Sequence, residues 1–126
     1  MASDPRRRLG AIGEDLAARH LECAGYEVLE RNARTRTGEI DIVAARAQVL
    51  VFCEVKTRVT RSTGGPTGPF AAIGPRKRQQ VRLLAREWLA GASGRPHYPD
   101  LRFDAIAVAL TASGELVALD HLEDAF

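Results

Sequence analysis

Two acids and a lysine, Asp41, Glu54 and Lys56, stand in stretches where a soluble chain normally keeps apolar side chains. Asp41 belongs to Gly38-Glu39-Ile40-Asp41-Ile42-Val43, and the other two to Leu50-Val51-Phe52-Cys53-Glu54-Val55-Lys56. Ionised groups beside an apolar strand are costly unless they are paired or bind a metal. One chemistry that meets this cost is a divalent cation. Mg²⁺ (or Mn²⁺) prefers oxygen ligands, takes one or two carboxylates, and completes its octahedron with water and substrate phosphate. Asp41 and Glu54 are the candidate ligands, with the Val55 backbone carbonyl as a third oxygen. Such an ion would polarise a phosphodiester and acidify an attacking water. Lys56 would then orient that water or stabilise charge on the phosphorane. The other reading is an ion pair, Glu54 or Asp41 with Lys56, near a sheet end.

The elements that must hold these residues follow from hydrophobic periodicity. Alternation predicts strands over Tyr26–Arg31 and Glu39–Ala45, and Val/Phe enrichment a third over Gln48–Lys56, in an antiparallel meander. The segment Arg31–Gly38 is then the turn between the first two. Strict alternation puts Ile40 and Ile42 on one face and Glu39, Asp41 and Val43 on the other. A four-residue hairpin loop would set Asp41 opposite Glu54 and a two-residue loop opposite Phe52, whereas a three-residue loop would separate them.

A helix is predicted over Pro5–Ala24, with Ser3 or Asp4 as cap, Pro5 at its first position and Gly25 as its stop. Leu9, Ile12, Leu16, Ala17 and Ala24 form its apolar side, and Glu14 lies at the edge of that stripe. A second helix runs Pro75–Ala90, burying Val81, Leu84, Ala85 and Trp88. Arg78, Arg82 and Arg86 recur every fourth residue on another face, suited either to a phosphate backbone or to solvent. Strands at Leu101–Leu110 and Glu115–Leu119 close the pattern. Residues 59–74 hold four glycines and two prolines without periodicity. Such an irregular segment in a compact domain is usually functional or disordered, and here it is the candidate lid.

At 126 residues the chain fits one domain. Its N-terminus lacks a secretory apolar stretch and no run spans a bilayer, so a cytoplasmic protein without a membrane partner is expected. Cys23 and Cys53 have no metal spacing and read as buried thiols. The net charge of +2 is unevenly spread. Residues 1–86 carry 16 basic against 9 acidic side chains, and residues 87–126 carry 2 against 7. A polyanionic partner accounts for that basic part, as does a solvated surface.

These residues resemble a known pattern. An acid followed on the next strand by Glu-x-Lys is the signature of the PD-(D/E)xK nuclease superfamily. Gly13-Glu14, Gly25-Tyr26, Arg31-Asn32, Gly38-Glu39-Ile40-Asp41-Ile42-Val43, Glu54-Val55-Lys56-x-Arg58, Pro75-Arg76-Lys77, Trp88-Leu89 and Arg102-Phe103-Asp104 together resemble the YraN-like family of small bacterial proteins, over nearly the whole chain. The resemblance implies an α/β, restriction-endonuclease-like core in a single domain, with a mixed sheet of about five strands flanked by helices. It implies Asp41 and Glu54 as metal ligands, Lys56 as the assisting lysine, and Glu14 as a fourth catalytic residue. Gly38-Glu39-Ile40-Asp41 replaces the superfamily's Pro-Asp, which makes Glu39 a further candidate ligand.

Two functions fit. One is a metal-dependent endonuclease on DNA, branched or single-stranded, held by Arg34, Arg36, Arg58, Lys77, Arg78 and Arg82. The other is a nucleic-acid-binding or adaptor protein that keeps the fold without turnover. A domain whose acids are purely structural is a third. Cutting two strands would favour a homodimer, by analogy with resolvases.

Overall fold

A computed structural model describes residues 5–60, 75–91 and 98–126. The expected cap at Ser3 or Asp4 and nearly all of the expected lid at 59–74 lie outside the described residues. Helix α1 (Pro5–Cys23) leads into β1 (Glu27–Arg34), β2 (Glu39–Arg46) and β3 (Val49–Val59). Helix α2 (Pro75–Ala90) precedes β4 (Asp100–Leu110) and β5 (Leu116–Leu122). The strands form one open mixed sheet in the order β1-β2-β3-β4-β5. The first three make the expected meander, β3 and β4 run parallel, and β5 returns antiparallel. The parallel pair requires a crossover, and α2 lies within it.

Each helix covers one face of the sheet. Ala17, Ala18 and Leu21 of α1 pack with Ile42, Ala44, Val51, Cys53, Ile106 and Val108. Leu84, Ala85 and Trp88 of α2 pack with Val43, Leu50, Phe52 and Phe103. Phe52 anchors the second layer, edge-on to Trp88 and stacked on Phe103, each at 5.6 Å between ring centroids. Large side chains like these each contribute about 1.5–3 kcal/mol through burial, so both helices are fixed mainly by their apolar stripes.

Local chemistry sets the element ends. Gly25, at φ 92°, closes α1 as its N–H meets the Glu22 carbonyl and the Tyr26 N–H the Leu21 carbonyl, which is a left-handed glycine stop. Three strands run well beyond the ends the sequence pattern suggests, β5 reaching Leu122 rather than Leu119. β1 continues to Arg34, so the turn shrinks to Thr35–Gly38, tied by Thr35 N–H to the Gly38 carbonyl at 2.8 Å. β3 continues to Val59 because β4 pairs with it as far as Val59↔Leu110. Cys53 is buried as expected, but Cys23 is exposed at the end of α1.

Candidate active site at the β2–β3 fork

The ladder between β2 and β3 runs from Arg46↔Val49 to Ile42↔Cys53. Its turn is Ala47-Gln48, with Ala47 at φ 54°. This register would continue to Asp41 opposite Glu54, but the pairing stops one step earlier. Instead, Asp41 Oδ2 accepts a hydrogen bond from the Val55 N–H at 2.8 Å. The side chain thus takes the place of a strand in satisfying that amide, and β2 and β3 form a fork. The N–H and C=O of one strand residue leave toward the same neighbour, so the Val55 carbonyl also faces the fork.

Strict alternation fails at this point. Ile40 packs in the α2 layer and Ile42 in the α1 layer, not on one face. Opposite Asp41 on β1 is Asn32, in a left-handed conformation at φ 52°. Both strands reverse their facing there, since Arg31 reaches Asp15 of α1 whereas Ala33 joins the α2 layer. That irregularity frees the Asp41 carboxylate to turn into the fork.

Helix α1 brings Glu14 to the same place. A Cβ on Gly13 would lie 1.9 Å from Thr57 Oγ1, so only glycine lets the helix approach β3 this closely. The next residue, Glu14, then lies within electrostatic reach of Asp41 and Glu39. Glu14 Oε1 is shielded from solvent and accepts no hydrogen bond, and its closest cation is the Arg31 guanidinium at 4.0 Å. Burial, then the charge of Asp41, raises the Glu14 pKa. Burial raises that of Asp41 too, against the Val55 hydrogen bond, and Glu54 and Glu39 add to the rise. Convergent acids shifted by burial and by one another are a mark of functional sites.

Glu54 stands across the fork from Asp41, on a pocket of about 100 Å³ bounded by Glu39, Ile40, Asp41, Phe52, Cys53 and Glu54 from the sheet and by Lys77, Gln80, Val81 and Leu84 from α2. Lys56 is half exposed, with Nζ 3.9 Å from Glu54 Oε1. Lys77, which the sequence reading treats as a backbone contact, comes closer, at 2.5 Å from the same oxygen. Among the described residues no three His, Cys, Asp or Glu side chains form a ready-made metal cage. The donor set nevertheless suits a hard cation that keeps water and phosphate in its shell: Asp41, Glu54 and the Val55 carbonyl, with Glu39 at the rim and the unsatisfied Glu14 oxygen behind.

The arginines divide by surroundings. Arg34 borders a second hollow with Glu39, and Arg36 and Arg78 are exposed. Arg58 is half-buried and its Nη2 has no hydrogen-bond partner. Arg82 donates to the Phe126 carbonyl at 3.2 Å and lies over the Phe103 ring, so it is also part of the packing.

One cluster escaped the sequence reading. Asp104 is fully buried on β4 and is gripped by Arg102 through two hydrogen bonds of 2.8 Å. His121 Nε2 lies 2.7 Å from the same carboxylate, and the Asp124 N–H donates to it at 3.0 Å. Arg102 also donates to the Tyr26 hydroxyl, and His121 meets His20 of α1 at 3.0 Å. Burial alone would raise the Asp104 pKa, but the His121, Arg102 and Asp124 hydrogen bonds hold it below the usual carboxylate range. The alternating Arg102-Phe103-Asp104 was a signal that the two charges share a face. Nothing local pointed to His121, 17 residues on.

The model of an uncharacterised protein family, UPF0102, matches residues 13–108. A UPF0102 protein of Parafrankia is 49% identical over 121 residues, covering 95% of this chain and 97% of its own. One from Rhodococcus opacus is 47% identical over 118 residues, covering 94% and 95%. One from Streptomyces griseus is 50% identical over 109 residues, covering 86% and 88%. Among solved structures, Pyrococcus furiosus SfsA in complex with Ca²⁺ is a faint likeness, at a TM-score of 0.33 and 15% identity. It covers 94% of this chain, which spans 62% of that protein.

Proposed function

We propose that this chain, which belongs to the uncharacterised protein family UPF0102, is a divalent-cation-dependent endonuclease with a restriction-endonuclease-like core that hydrolyses phosphodiester bonds in DNA. The observation that carries the reading is that Asp41 stands at the β2–β3 fork within electrostatic reach of both Glu54 and Glu14, with one Glu14 oxygen buried and without a hydrogen-bond partner. Like charges gathered this closely favour a bound cation over an empty site.

Asp41 and Glu54 would hold Mg²⁺ or Mn²⁺ with the Val55 carbonyl. Held there, it would supply polarisation of the scissile phosphate and acidification of a neighbouring water. The Val55 N–H fixes the rotamer of Asp41, so one of its oxygens stays oriented into the fork. Glu14, more basic than an ordinary glutamate, is placed to accept a proton as that water attacks. Lys56, anchored on the same strand as Glu54, would place its ammonium beside the phosphate oxygens on which negative charge builds. Arg34, Arg36, Arg58 and Arg78 supply charge for the flanking backbone.

The purified protein should nick a labelled panel of duplex, single-stranded and four-way-junction DNA with Mg²⁺ or Mn²⁺ but not with EDTA. Asp41→Asn and Glu54→Gln should each lower the rate by about a hundredfold or more. Equal cleavage by those variants would mean a contaminating enzyme. Salt-sensitive DNA binding without any cleavage would assign the fold to a non-catalytic binding protein instead.

A further inference from the structure

The lysine nearest the Glu54 carboxylate is not the one on the β3 motif. Lys77 Nζ lies 2.5 Å from Glu54 Oε1, whereas Lys56 Nζ is 3.9 Å away from that same oxygen. Lys77 is also the more enclosed of the two, at 35% against 55% side-chain exposure, and it lines the pocket beside Asp41 and Glu39. It stands on the first turn of α2, on the side of the pocket facing the sheet. An ammonium pressed against a carboxylate occupies one of the lone-pair directions that a metal ligand needs.

We infer that Lys77 is a second lysine of this site: it holds the Glu54 carboxylate until a divalent cation takes that oxygen, and is then free to grip a substrate phosphate at the pocket mouth. The inference rests on the cation site proposed above and adds a competitor to it. Two consequences of opposite sign follow. Removing the ammonium removes competition, so the cation binds more tightly. It also removes a phosphate contact, so DNA binds more weakly. A lysine that merely props up α2 would not produce that pair of shifts, and neither would one whose only role is a distant backbone contact.

The test is a Mn²⁺ titration of the full chain, followed by the paramagnetic resonance of free Mn²⁺, on the wild type, Lys77→Met, Lys77→Gln and Lys56→Met. Lys77→Met and Lys77→Gln should tighten Mn²⁺ binding by about threefold or more, the range expected for losing a partly exposed ion pair, and Lys56→Met should change it less. With Ca²⁺ saturating, affinity for a short DNA duplex should fall by about threefold in Lys77→Met and recover in Lys77→Arg. Unchanged or weaker Mn²⁺ binding in both Lys77 variants, with the wild type binding Mn²⁺ normally, overturns the role of Lys77 and leaves the cation site standing. No Mn²⁺ binding by the wild type or any variant overturns both.

Discussion

Glu14 and Asp41 hold their charge in places from which water is partly excluded; the charge of Asp41 makes Glu14 harder still to ionise, and Glu54 and Glu39 do the same to Asp41. A carboxyl whose pKa is raised on folding keeps its proton longer in the folded protein than in the unfolded chain. Its contribution to stability is therefore full below the unfolded value of about 4 and is lost as pH rises through the higher folded one. At neutral pH, without a cation, these acids work against the fold. Glu14→Gln and Asp41→Asn should accordingly raise the melting temperature by a few degrees, on the order of 1 kcal/mol. Thermal melts in EDTA from pH 4.5 to 8 should show the gain growing with pH. A loss of stability at every pH would mean that the carboxylates are held by favourable partners. Asp41, Glu54 and Lys56 were legible as a group, because polar residues interrupt otherwise apolar strands. The Asp41–Val55 hydrogen bond was not, since it depends on the left-handed Asn32 one strand away.

Among the elements, α1 shows how little space separates positioning from obstruction. It can lie against β3 at Thr57 because residue 13 has no side chain. Gly13→Ala should cost about 1–3 kcal/mol by forcing the helix outward, and should move Glu14 away from Asp41. Denaturant unfolding measures the first effect, and Thr57→Ala, which removes the Oγ1 that a Cβ at residue 13 would strike, combined with Gly13→Ala should restore part of it. If Gly13→Ala is neutral in denaturant, the contact is looser than the geometry indicates. The helix was readable from its spacing and glycine stop, and Gly13-Glu14 from its motif. The close approach was not, because periodicity reports which face is apolar but not how near the partner strand will come. The same limit hid Lys77, whose neighbours on β3 are more than twenty residues earlier in the chain.

Across the whole molecule, the sheet has two acidic clusters with different chemistry. One is the fork, whose acids are strained against one another. Away from the fork, β4 carries Asp104, whose charge is fully compensated by Arg102, His121 and the Asp124 amide. Because the Asp104 pKa is lowered by folding, its contribution is present above about pH 4 and is lost as pH falls through the depressed value. Asp104→Asn should destabilise the protein by roughly 3 kcal/mol, leaving the Arg102 guanidinium without its counter-charge. Urea unfolding at pH 7 checks this, and a neutral result would show that the network is dispensable. The five strands and two helices followed from apolar patterning, their joining into a mixed sheet only from the family resemblance, and no described helix is long and apolar enough to cross a membrane. This second cluster did not follow, for its members come from α1, from Tyr26 just before β1, from β4 and from β5 and the residues after it, and meet only once the sheet has closed its order.

The fork itself behaves as a calliper. Glu54 rides on a strand fastened to β4 over its full length, whereas Asp41 rides on one fastened to β3 only as far as Cys53. The distance between their carboxylates is therefore set by how wide two arms open, with one amide bridging the gap. An ion of larger radius would be met by spreading the arms and a smaller one by drawing them in, so ionic size would be weighed against the stiffness of β2 beyond Ile42, where β1 alone still holds it.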